Sequence, residues 1–392
     1  MDALLLLMCL LALLWLVVLP LMRRRRERAA FERAASAAEA QAARGEPEGP
    51  RGAEGVRLGK EGDPAAASTG LTPVDQLDVR LPGPDPELVA ALEEAQRTQD
   101  WHPAGRLLAL TDDSELRWQR VQSLAGAAAV ELARWRASAA RTGGAEAAGP
   151  GDRDAGWLRR WRGEEPKDPG GAQVYAQFLV WQAMADPGSA DHRIILEEAR
   201  TVCAEAARLA PQDPVPHITE LFIARGLSYR RADFDALWAA VTERDPDHMG
   251  AHLAALPYLS AKWHGSRAEA DAFATAAAAT AREGSLLPAL PLFAVYDHLP
   301  DVQLSASLYT GAVVSDAIEA ARFAVGNVRP GHPVEPHVRH LLLCFLVRAE
   351  RYAEAAEQVR AIDGYVGAIP WVDGEDPAKE YAAYRALAIA GQ

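Results

Sequence analysis

The sequence predicts an all-α protein in which one transmembrane helix precedes a body of antiparallel helix pairs. Three observations lead to this prediction. Alanine is abundant, whereas aromatic residues, which favour strands, make up only 7% of the chain. No long run alternates apolar and polar residues with a period of two. Hydrophobic residues form 49% of the 392 positions, which is enough core material for one large or two modest domains.

Residues 4–22, LLLLMCLLALLWLVVLPLM, form an apolar run without any charge. At the rise of an α-helix this run spans roughly 28 Å, close to the hydrocarbon thickness of a bilayer. A cleavable signal peptide carries its positive charges before the apolar run, whereas here only MDA precedes it and four arginines follow it. We therefore predict a single-pass membrane anchor rather than a buried helix of a soluble domain.

A block of arginines follows the predicted anchor, at Arg23, Arg24, Arg25, Arg26 and Arg28. Positively charged flanks of membrane helices remain on the cytoplasmic side. The block therefore predicts an N-terminus outside the inner or plasma membrane and a cytoplasmic body. The same side chains are expected against anionic headgroups, where each contributes about 1 kcal/mol.

Residues 29–74 connect the anchor to the body. The first part, 29–44, is rich in alanine and predicts a helix that leaves the membrane. Residues 45–70 are rich in glycine, proline and charge, which is typical of a flexible tether. The body, 75–392, reads as short helices separated by Pro, Gly and Asp. Its break at 141–156 indicates either a long loop or a subdomain boundary.

Charge and cysteine usage exclude several classes of function. The net charge of −13 disfavours nucleic acid, whose phosphates repel an acidic body. The three cysteines lie far apart and form no CxxC pair, which suits a reducing compartment. The sequence contains no glycine-rich phosphate loop, GxSxG elbow or kinase set. We therefore predict no cofactor and infer no catalysis.

The clearest predicted helix is DHRIILEEARTVCAEAARLAP. Its apolar positions step by four and three residues, which aligns them along one face of a helix. These positions are Ile195, Ala199, Val202, Ala206 and Leu209. The stripe predicts that this face packs against a neighbouring helix.

The spacing of two prolines indicates a repeat in this part of the chain. Pro211 and Pro246 are 35 residues apart, and each follows one predicted helix and precedes another. A period near 34 with two helices per unit is the spacing of tetratricopeptide repeats. Residues 342–362 resemble the core of such a repeat, because Tyr352 and Ala355 match the aromatic and small positions of its second helix.

The resemblance to tetratricopeptide repeats covers about residues 172–283 and 335–365, without the Trp and Gly of the first repeat helix. The chain is also similar to an uncharacterised bacterial family of tetratricopeptide-like proteins that carries a Lys-Trp-x-Gly-Ser joint, here KWHGS. This resemblance implies an α-solenoid with a concave binding surface. Together with the anchor predicted from residues 4–22, this resemblance predicts a membrane-anchored scaffold or adaptor with a protein or peptide partner.

The joint itself lies in AKWHGSRAEADAF. Gly265 is expected to end one helix in a left-handed conformation. Ser266 and Glu269 have the spacing of a capping box for the next helix, in which the serine oxygen accepts the N–H of residue 269 and the glutamate accepts the N–H of residue 266. Lys262 is expected in the last turn of the first helix, and Trp263 in the angle between the two helices. Because the serine is committed to capping, we interpret the cluster as a structural joint rather than a Ser-His-Lys active site.

Two pairs of histidines have the spacing of metal ligands on a helix. His248 and His252 are four residues apart, and His337 and His340 are three apart. A zinc protease needs a glutamate directly after the first histidine, where this chain has Met249. We expect ordinary surface or partly buried histidines with no bound metal. The alternative hypothesis is a helical enzyme, metal-dependent or not, that uses histidine and carboxylate groups in a groove.

Overall fold

The computed structural model describes residues 70–142, 154–299 and 306–392. Within these ranges the protein is all-α, as predicted, and one isolated β-bridge joins Asp78 to Tyr365. The predicted anchor, its arginine block and residues 29–69 lie outside the described residues. Among the helices that are described, none is long and apolar enough to cross a membrane.

The chain divides into two compact units. One comprises the described parts of Met1–Gly83, Leu299–Glu319 and Pro336–Gln392, and the other comprises the described parts of Pro84–His298 together with Ala320–Glu335. We call them the first and the second unit. The predicted break at 141–156 falls within the range of the second unit, and its residues 143–153 lie outside the described part of the chain.

Eleven helices precede residue 299 among the described residues. They are α1 (Pro86–Thr98), α2 (His102–Ala109), α3 (Ser114–Thr142), α4 (Gly156–Glu164), α5 (Pro169–Ala185), α6 (His192–Leu209), α7 (Val215–Gly226), α8 (Arg231–Arg244), α9 (Met249–Ala255), α10 (Arg267–Thr280) and α11 (Leu290–Asp297). Short 3₁₀ turns at Leu256–Leu259 and Leu287–Ala289 follow α9 and precede α11.

The later described helices are α12 (Ala306–Tyr309), α13 (Ala312–Asn327), α14 (Glu335–Arg348), α15 (Tyr352–Ile362) and α16 (Pro377–Ala390). A 3₁₀ turn at Trp371–Asp373 lies between α15 and α16 and packs against α16. Another 3₁₀ turn, Val74–Gln76, also contacts α16. Within the first unit, residues 74–76 and α16 are thus in contact although they are about 300 residues apart in sequence.

Three helices begin at an Asp-Pro pair, and the sequence alone explains why. Asp85, Asp168 and Asp376 each accept the backbone N–H two residues after the proline, at 3.0, 2.9 and 3.2 Å. Proline suits the first turn because its missing N–H would have no partner in the helix there. The aspartate satisfies another of the free N–H groups at the helix start. Local spacing thus fixes where α1, α5 and α16 start.

Helices of the second unit alternate between two kinds of environment. Helices α3, α5, α7 and α9 pack on one another in succession, while α4, α6 and α8 pack beside them. Helix α5 is buried on nearly every side, whereas α6 buries a single stripe. That stripe is Leu196, Ala199, Val202, Cys203 and Ala206. The predicted stripe was rotated by about one residue, because Ile195 and Leu209 remain partly exposed.

Candidate functional site

The histidines of the HMGAH segment are both buried in the second unit. The Nδ1 atom of His248 accepts the backbone N–H of Ala251 at 3.1 Å and so caps α9. The Nδ1 atom of His252 lies 2.9 Å from the carbonyl oxygen of His248. Burial lowers the pKa of His252 to about 4. Both rings therefore serve the local structure of α9.

The HVRH histidines belong to the first unit. His340 is fully buried, with its Nε2 atom 2.9 Å from the carbonyl oxygen of Pro82 and its Nδ1 atom accepting the indole N–H of Trp371 at 2.9 Å. Both ring nitrogens of His340 are therefore satisfied, and burial lowers its pKa to about 3. His337 is partly buried, and desolvation lowers its pKa to about 4.

The two predicted histidine pairs thus lie in different units. In the part of the chain that the structure describes, no three His, Cys, Asp or Glu side chains are grouped so that they could hold a metal ion. His252 contacts aromatic rings instead, with Trp238 edge-on at a centroid distance of 4.8 Å. His248, His252 and His340 are thus core histidines, and the expected surface or partly buried position was wrong for these three.

A buried glutamate that the sequence did not point to lies next to His248. Glu115, in the first turn of α3, accepts the backbone N–H of Met249 and, at 3.2 Å, that of Gly250. Its carboxylate therefore caps the N-terminus of α9 from a different helix. The Nδ1 atom of His248 lies 3.2 Å from this carboxylate, and the Nε2 atom of His332 lies 3.9 Å from it.

Burial dominates the electrostatics around Glu115. Desolvation raises the pKa of the Glu115 carboxyl above its usual value, although His248 and the two N–H donors counteract part of that rise. Desolvation also lowers the pKa of His332 to about 4. The Nε2 atom of His248 is buried without a hydrogen-bond partner in the described part of the chain. We interpret this cluster as a cap that holds α9 in place.

In the joint after α9, Ser266 forms the predicted cap, but the carboxylate of Glu269 binds a partner other than the predicted one. Ser266 caps α10, since its Oγ atom accepts the backbone N–H of Glu269 at 3.2 Å. The expected return bond from Glu269 to the N–H of Ser266 is absent, and this prediction was wrong. That N–H donates to the carbonyl oxygen of Leu259 at 3.1 Å. The Glu269 carboxylate instead binds Arg231 at 2.7 Å.

Gly265 is required for a reason other than the predicted one. It is not among the described residues with a positive φ, so the expected left-handed cap was wrong. A Cβ atom at this position would lie 2.1 Å from the carbonyl oxygen of Leu259. After the 3₁₀ turn Leu256–Leu259, the chain folds back onto its own backbone, and only a residue without a side chain fits there.

Two further expectations for the joint were also wrong, because α9 ends earlier than predicted. The helix stops at Ala255 and gives way to the 3₁₀ turn, so Lys262 lies in a turn beyond the helix. Its Nζ atom lies 3.5 Å from Asp297 at the end of α11. Trp263 does not fill an angle between helices: it is 46% exposed, and the guanidinium carbon of Arg225 lies 4.8 Å from its ring centroid.

The arginine beneath Trp263 has an unusual environment. Arg225 lies in the last turn of α7, between the ring of Trp263 and that of Phe222, whose centroid is 5.8 Å from the guanidinium carbon. Within the described ranges no carboxylate oxygen lies within 4.0 Å of this guanidinium. Burial lowers the pKa of Arg225, and the charge of Asp297 counteracts part of that change. We call Phe222, Arg225, Lys262, Trp263 and Asp297 the Arg225 site.

A contact between a histidine side chain and the backbone connects the joint to α7. The Nε2 atom of His264 lies 3.0 Å from the carbonyl oxygen of Arg225, which ties the joint to the end of α7. The Nε atom of Arg225 is buried without a hydrogen-bond partner in the described part of the chain. Sequence reasoning identified the joint but missed Arg225, because no local pattern brings residue 225 to residue 263.

A polar cleft of about 390 Å³ elsewhere in the second unit provides a contrast. Its arginine, Arg117, donates to the carbonyl oxygens of Leu108 and Thr111 at 2.9 and 2.8 Å and lies 3.6 Å from Asp213. The hydrogen-bonding capacity of Arg117 is thus largely used within the protein. Arg225 differs, because its guanidinium has neither an ion pair nor a hydrogen bond with any residue that the structure describes.

No family model, curated protein or solved structure matches this chain. The resemblance to tetratricopeptide repeats and to the bacterial family with the Lys-Trp-x-Gly-Ser joint therefore stays a prediction.

Proposed function

We propose that the protein is a membrane-anchored, cytoplasmic scaffold that binds another protein through its helical body. The observation that carries this proposal is the Arg225 site, where a half-exposed tryptophan covers an arginine that has no ion pair among the described residues. Tryptophan and arginine are the side chains most enriched among the residues that dominate binding energy at protein interfaces. A site of this composition suits recognition better than it suits catalysis.

The helix arrangement of the second unit supports a tetratricopeptide-like α-solenoid. In stacked helix pairs, the first helix of each pair packs on the first helix of the next pair, and the second helices form another layer. The succession α3, α5, α7 and α9, with α4, α6 and α8 beside it, has this alternation. Such a stack offers an extended surface on which a peptide or protein binds.

The N-terminal sequence supports the membrane location. A charge-free run at residues 4–22 followed by an arginine block has the composition of an anchor with a cytoplasmic C-terminal side. Tethering the body through a Gly- and Pro-rich segment raises the effective concentration of its partner at the membrane. Anchor, tether and body thus form an adaptor that collects a partner at the inner face of the membrane.

The alternative, a metal-dependent helical enzyme, is less well supported. The Nδ1 atoms of His248, His252 and His340 are all engaged in hydrogen bonds within the protein. The carboxylate nearest to His248, that of Glu115, accepts two backbone N–H groups. We therefore keep the scaffold as the proposed function.

Proximity labelling and crosslinking in cells test the proposal. The full chain is compared with a variant that lacks residues 1–28, after circular dichroism has shown that both are helical. We expect both proteins to capture the same partners, with membrane enrichment only where the anchor is present. A folded, full-length protein that crosslinks to no other protein contradicts the scaffold.

A further inference from the structure

We propose that the Arg225 site binds one carboxylate of an acidic peptide segment, with an apolar side chain of that segment against Trp263. This inference rests on the proposed function, and it adds the chemical class of the partner. The structure brings together a planar cation from α7 with a half-exposed aromatic ring and a second cation from the joint.

The guanidinium of Arg225 is positioned to receive a ligand. Of its three nitrogens only Nε is buried without a partner, and the two terminal nitrogens make no hydrogen bond within the described residues, so they reach solvent. Two parallel N–H groups of a guanidinium match the two oxygens of a carboxylate. The Arg225 side chain therefore has unused donors at the surface.

Two rings hold the guanidinium in place before any ligand arrives. Trp263 lies over it at 4.8 Å and Phe222 at 5.8 Å. Phe222 is itself supported by Trp181, edge-on at a centroid distance of 5.9 Å. A side chain that is already ordered loses less conformational entropy on binding. The exposed part of Trp263 adds apolar area directly beside the guanidinium.

The charge balance favours a single negative charge. Lys262, 57% exposed, supplies a second cation, but its Nζ atom lies 3.5 Å from Asp297. Arg225, Lys262 and Asp297 together carry one net positive charge. A carboxylate neutralises this charge, whereas a dianionic phosphate would exceed it and would face repulsion from Asp297. The geometry and the charge thus agree on a carboxylate.

The charge of the whole protein limits what carries that carboxylate. The chain has a net charge of −13, so a uniformly acidic partner would be repelled from most of its surface. A short segment with one or two acidic residues next to an aromatic or aliphatic residue avoids that repulsion. We therefore infer a local acidic-apolar motif as the ligand.

Fluorescence anisotropy with a labelled peptide tests this inference on the full-length protein in detergent micelles. The probe is a short peptide with a central Glu-Phe-Glu, and its control is the same peptide with Gln-Phe-Gln. We expect the carboxylate peptide to bind at least about tenfold more tightly, since a charge-assisted bidentate pair is lost with the amides. We expect this preference to weaken as salt is added, because the site is open to solvent.

Variants assign the binding to the site. Arg225→Gln is expected to weaken binding about tenfold, while Asp297→Asn, which removes the competing carboxylate, is expected to strengthen it several-fold. Arg267→Gln is the matched control, because Arg267 is 65% exposed, lies in the same unit and, among the described residues, pairs with Asp271 on the same helix face alone. Trp263→Ala tests the apolar contact at a position where truncation leaves the core intact.

Three results would overturn the inference: equal binding of the two peptides, equal effects of Arg225→Gln and Arg267→Gln, or tighter binding of a phosphoserine peptide at the same residues. The test is independent of any natural partner. If the full chain crosslinks to proteins in cells and the peptide fails, only the carboxylate site is wrong. If the peptide binds as described and crosslinking finds nothing, the scaffold is wrong.

Discussion

Helix α9 has polar groups at both of its ends, and the two ends are built in different ways. At its N-terminus, Glu115 and His248 are buried, and their polar atoms serve backbone N–H groups. After its C-terminus, the joint leaves Trp263 half exposed over Arg225, whose charge has no partner within 4.0 Å in the described residues. Both ends contain a histidine, a charged residue and a tryptophan, so composition does not distinguish them: His248, Glu115 and Trp118 at the N-terminus, and His264, Arg225 and Trp263 at the joint.

The difference between the two ends is one of burial: the Glu115 carboxylate is enclosed and accepts two backbone N–H groups, whereas the Trp263 ring over Arg225 is 46% exposed. A buried carboxylate is stable only when donors surround it, and Glu115 has two backbone donors. The two terminal nitrogens of Arg225 make no hydrogen bond within the described residues, whereas its Nε atom is buried without a partner. Changes near Glu115 and His248 are therefore expected to lower stability more than changes at the exposed Trp263.

The largest expected effect is a loss of stability in acid. Burial holds the pKa values of His252 and His332 at about 4, below the usual 6.5. The neutral rings therefore stabilise the fold fully above pH 6.5, and this contribution is lost as the pH falls toward 4. Each ring contributes roughly 3 kcal/mol by the size of its shift. Urea unfolding between pH 7 and pH 4 measures the loss.

The raised pKa of Glu115 acts with the opposite sign. Its ionisation lowers stability as the pH rises above the unfolded value of about 4.5, so it offsets part of the acid loss. The variant His332→Asn, which preserves an acceptor for the N–H of Val334, is expected to flatten the profile. An unfolding free energy that stays constant from pH 7 to pH 4 would contradict the buried, neutral histidines.

The next largest loss of stability is expected when the Glu115 carboxylate is removed. Glu115→Ala leaves the N–H groups of Met249 and Gly250 buried without an acceptor, and we expect a loss of about 3 kcal/mol of unfolding free energy. Glu115→Gln keeps one acceptor oxygen and is expected to cost about half as much. Chemical denaturation measures both variants, and equal losses would show that the two N–H groups do not depend on the carboxylate.

At the joint, Gly265→Ala is expected to cost about 2 kcal/mol, because the added Cβ would overlap the carbonyl oxygen of Leu259. Thermal unfolding measures the change. Gly126→Ala is the matched control, since nothing lies within 4 Å of a Cβ at that helical position. If the two variants have the same melting temperature, the close approach at residue 265 is not required.

Loss of the cap on α10 has a smaller effect. Ser266→Ala removes the acceptor for the N–H of Glu269, and we expect a loss of about 1 kcal/mol. Ser266→Asp, which restores a capping acceptor, is expected to recover most of that stability. Unfolding by urea compares the two variants with the wild type, and a neutral alanine variant would argue against the cap.

The smallest effect on stability is expected at the exposed ring. Trp263→Ala should change the unfolding free energy by less than about 1 kcal/mol, because nearly half of the side chain already faces solvent. Trp157→Ala, at a fully buried ring of the same unit, is expected to cost about 3 to 5 kcal/mol. Equal losses in the two variants would remove the distinction between the joint and the core.

Features set by neighbouring residues were predictable from the sequence. Composition and the absence of period-two alternation predicted the all-α fold, and the Asp85-Pro86 pair by itself accounts for the start of α1. The three-residue spacing of Ser266 and Glu269 predicted the cap on α10. In each case the interacting groups lie within one helical turn, so local chemistry determines the outcome.

Features that depend on the path of the chain were not predictable. The role of Gly265 depends on how the 3₁₀ turn brings back the carbonyl of Leu259, and the expected left-handed conformation was therefore wrong. The ligand of the Met249 N–H, Glu115, lies 134 residues earlier. No periodicity in a single sequence shows a pair at that separation, and the same holds for Arg225 under Trp263.

The cap on α9 also bears on the order in which the protein assembles. Helix α9 has seven residues, too few to persist alone in water. Its first N–H groups find their acceptor only after a loop of more than a hundred residues has closed on α3. During synthesis, Glu115 leaves the ribosome long before Met249 does. We therefore expect α9 to be among the last helices of the second unit to form and among the first to open.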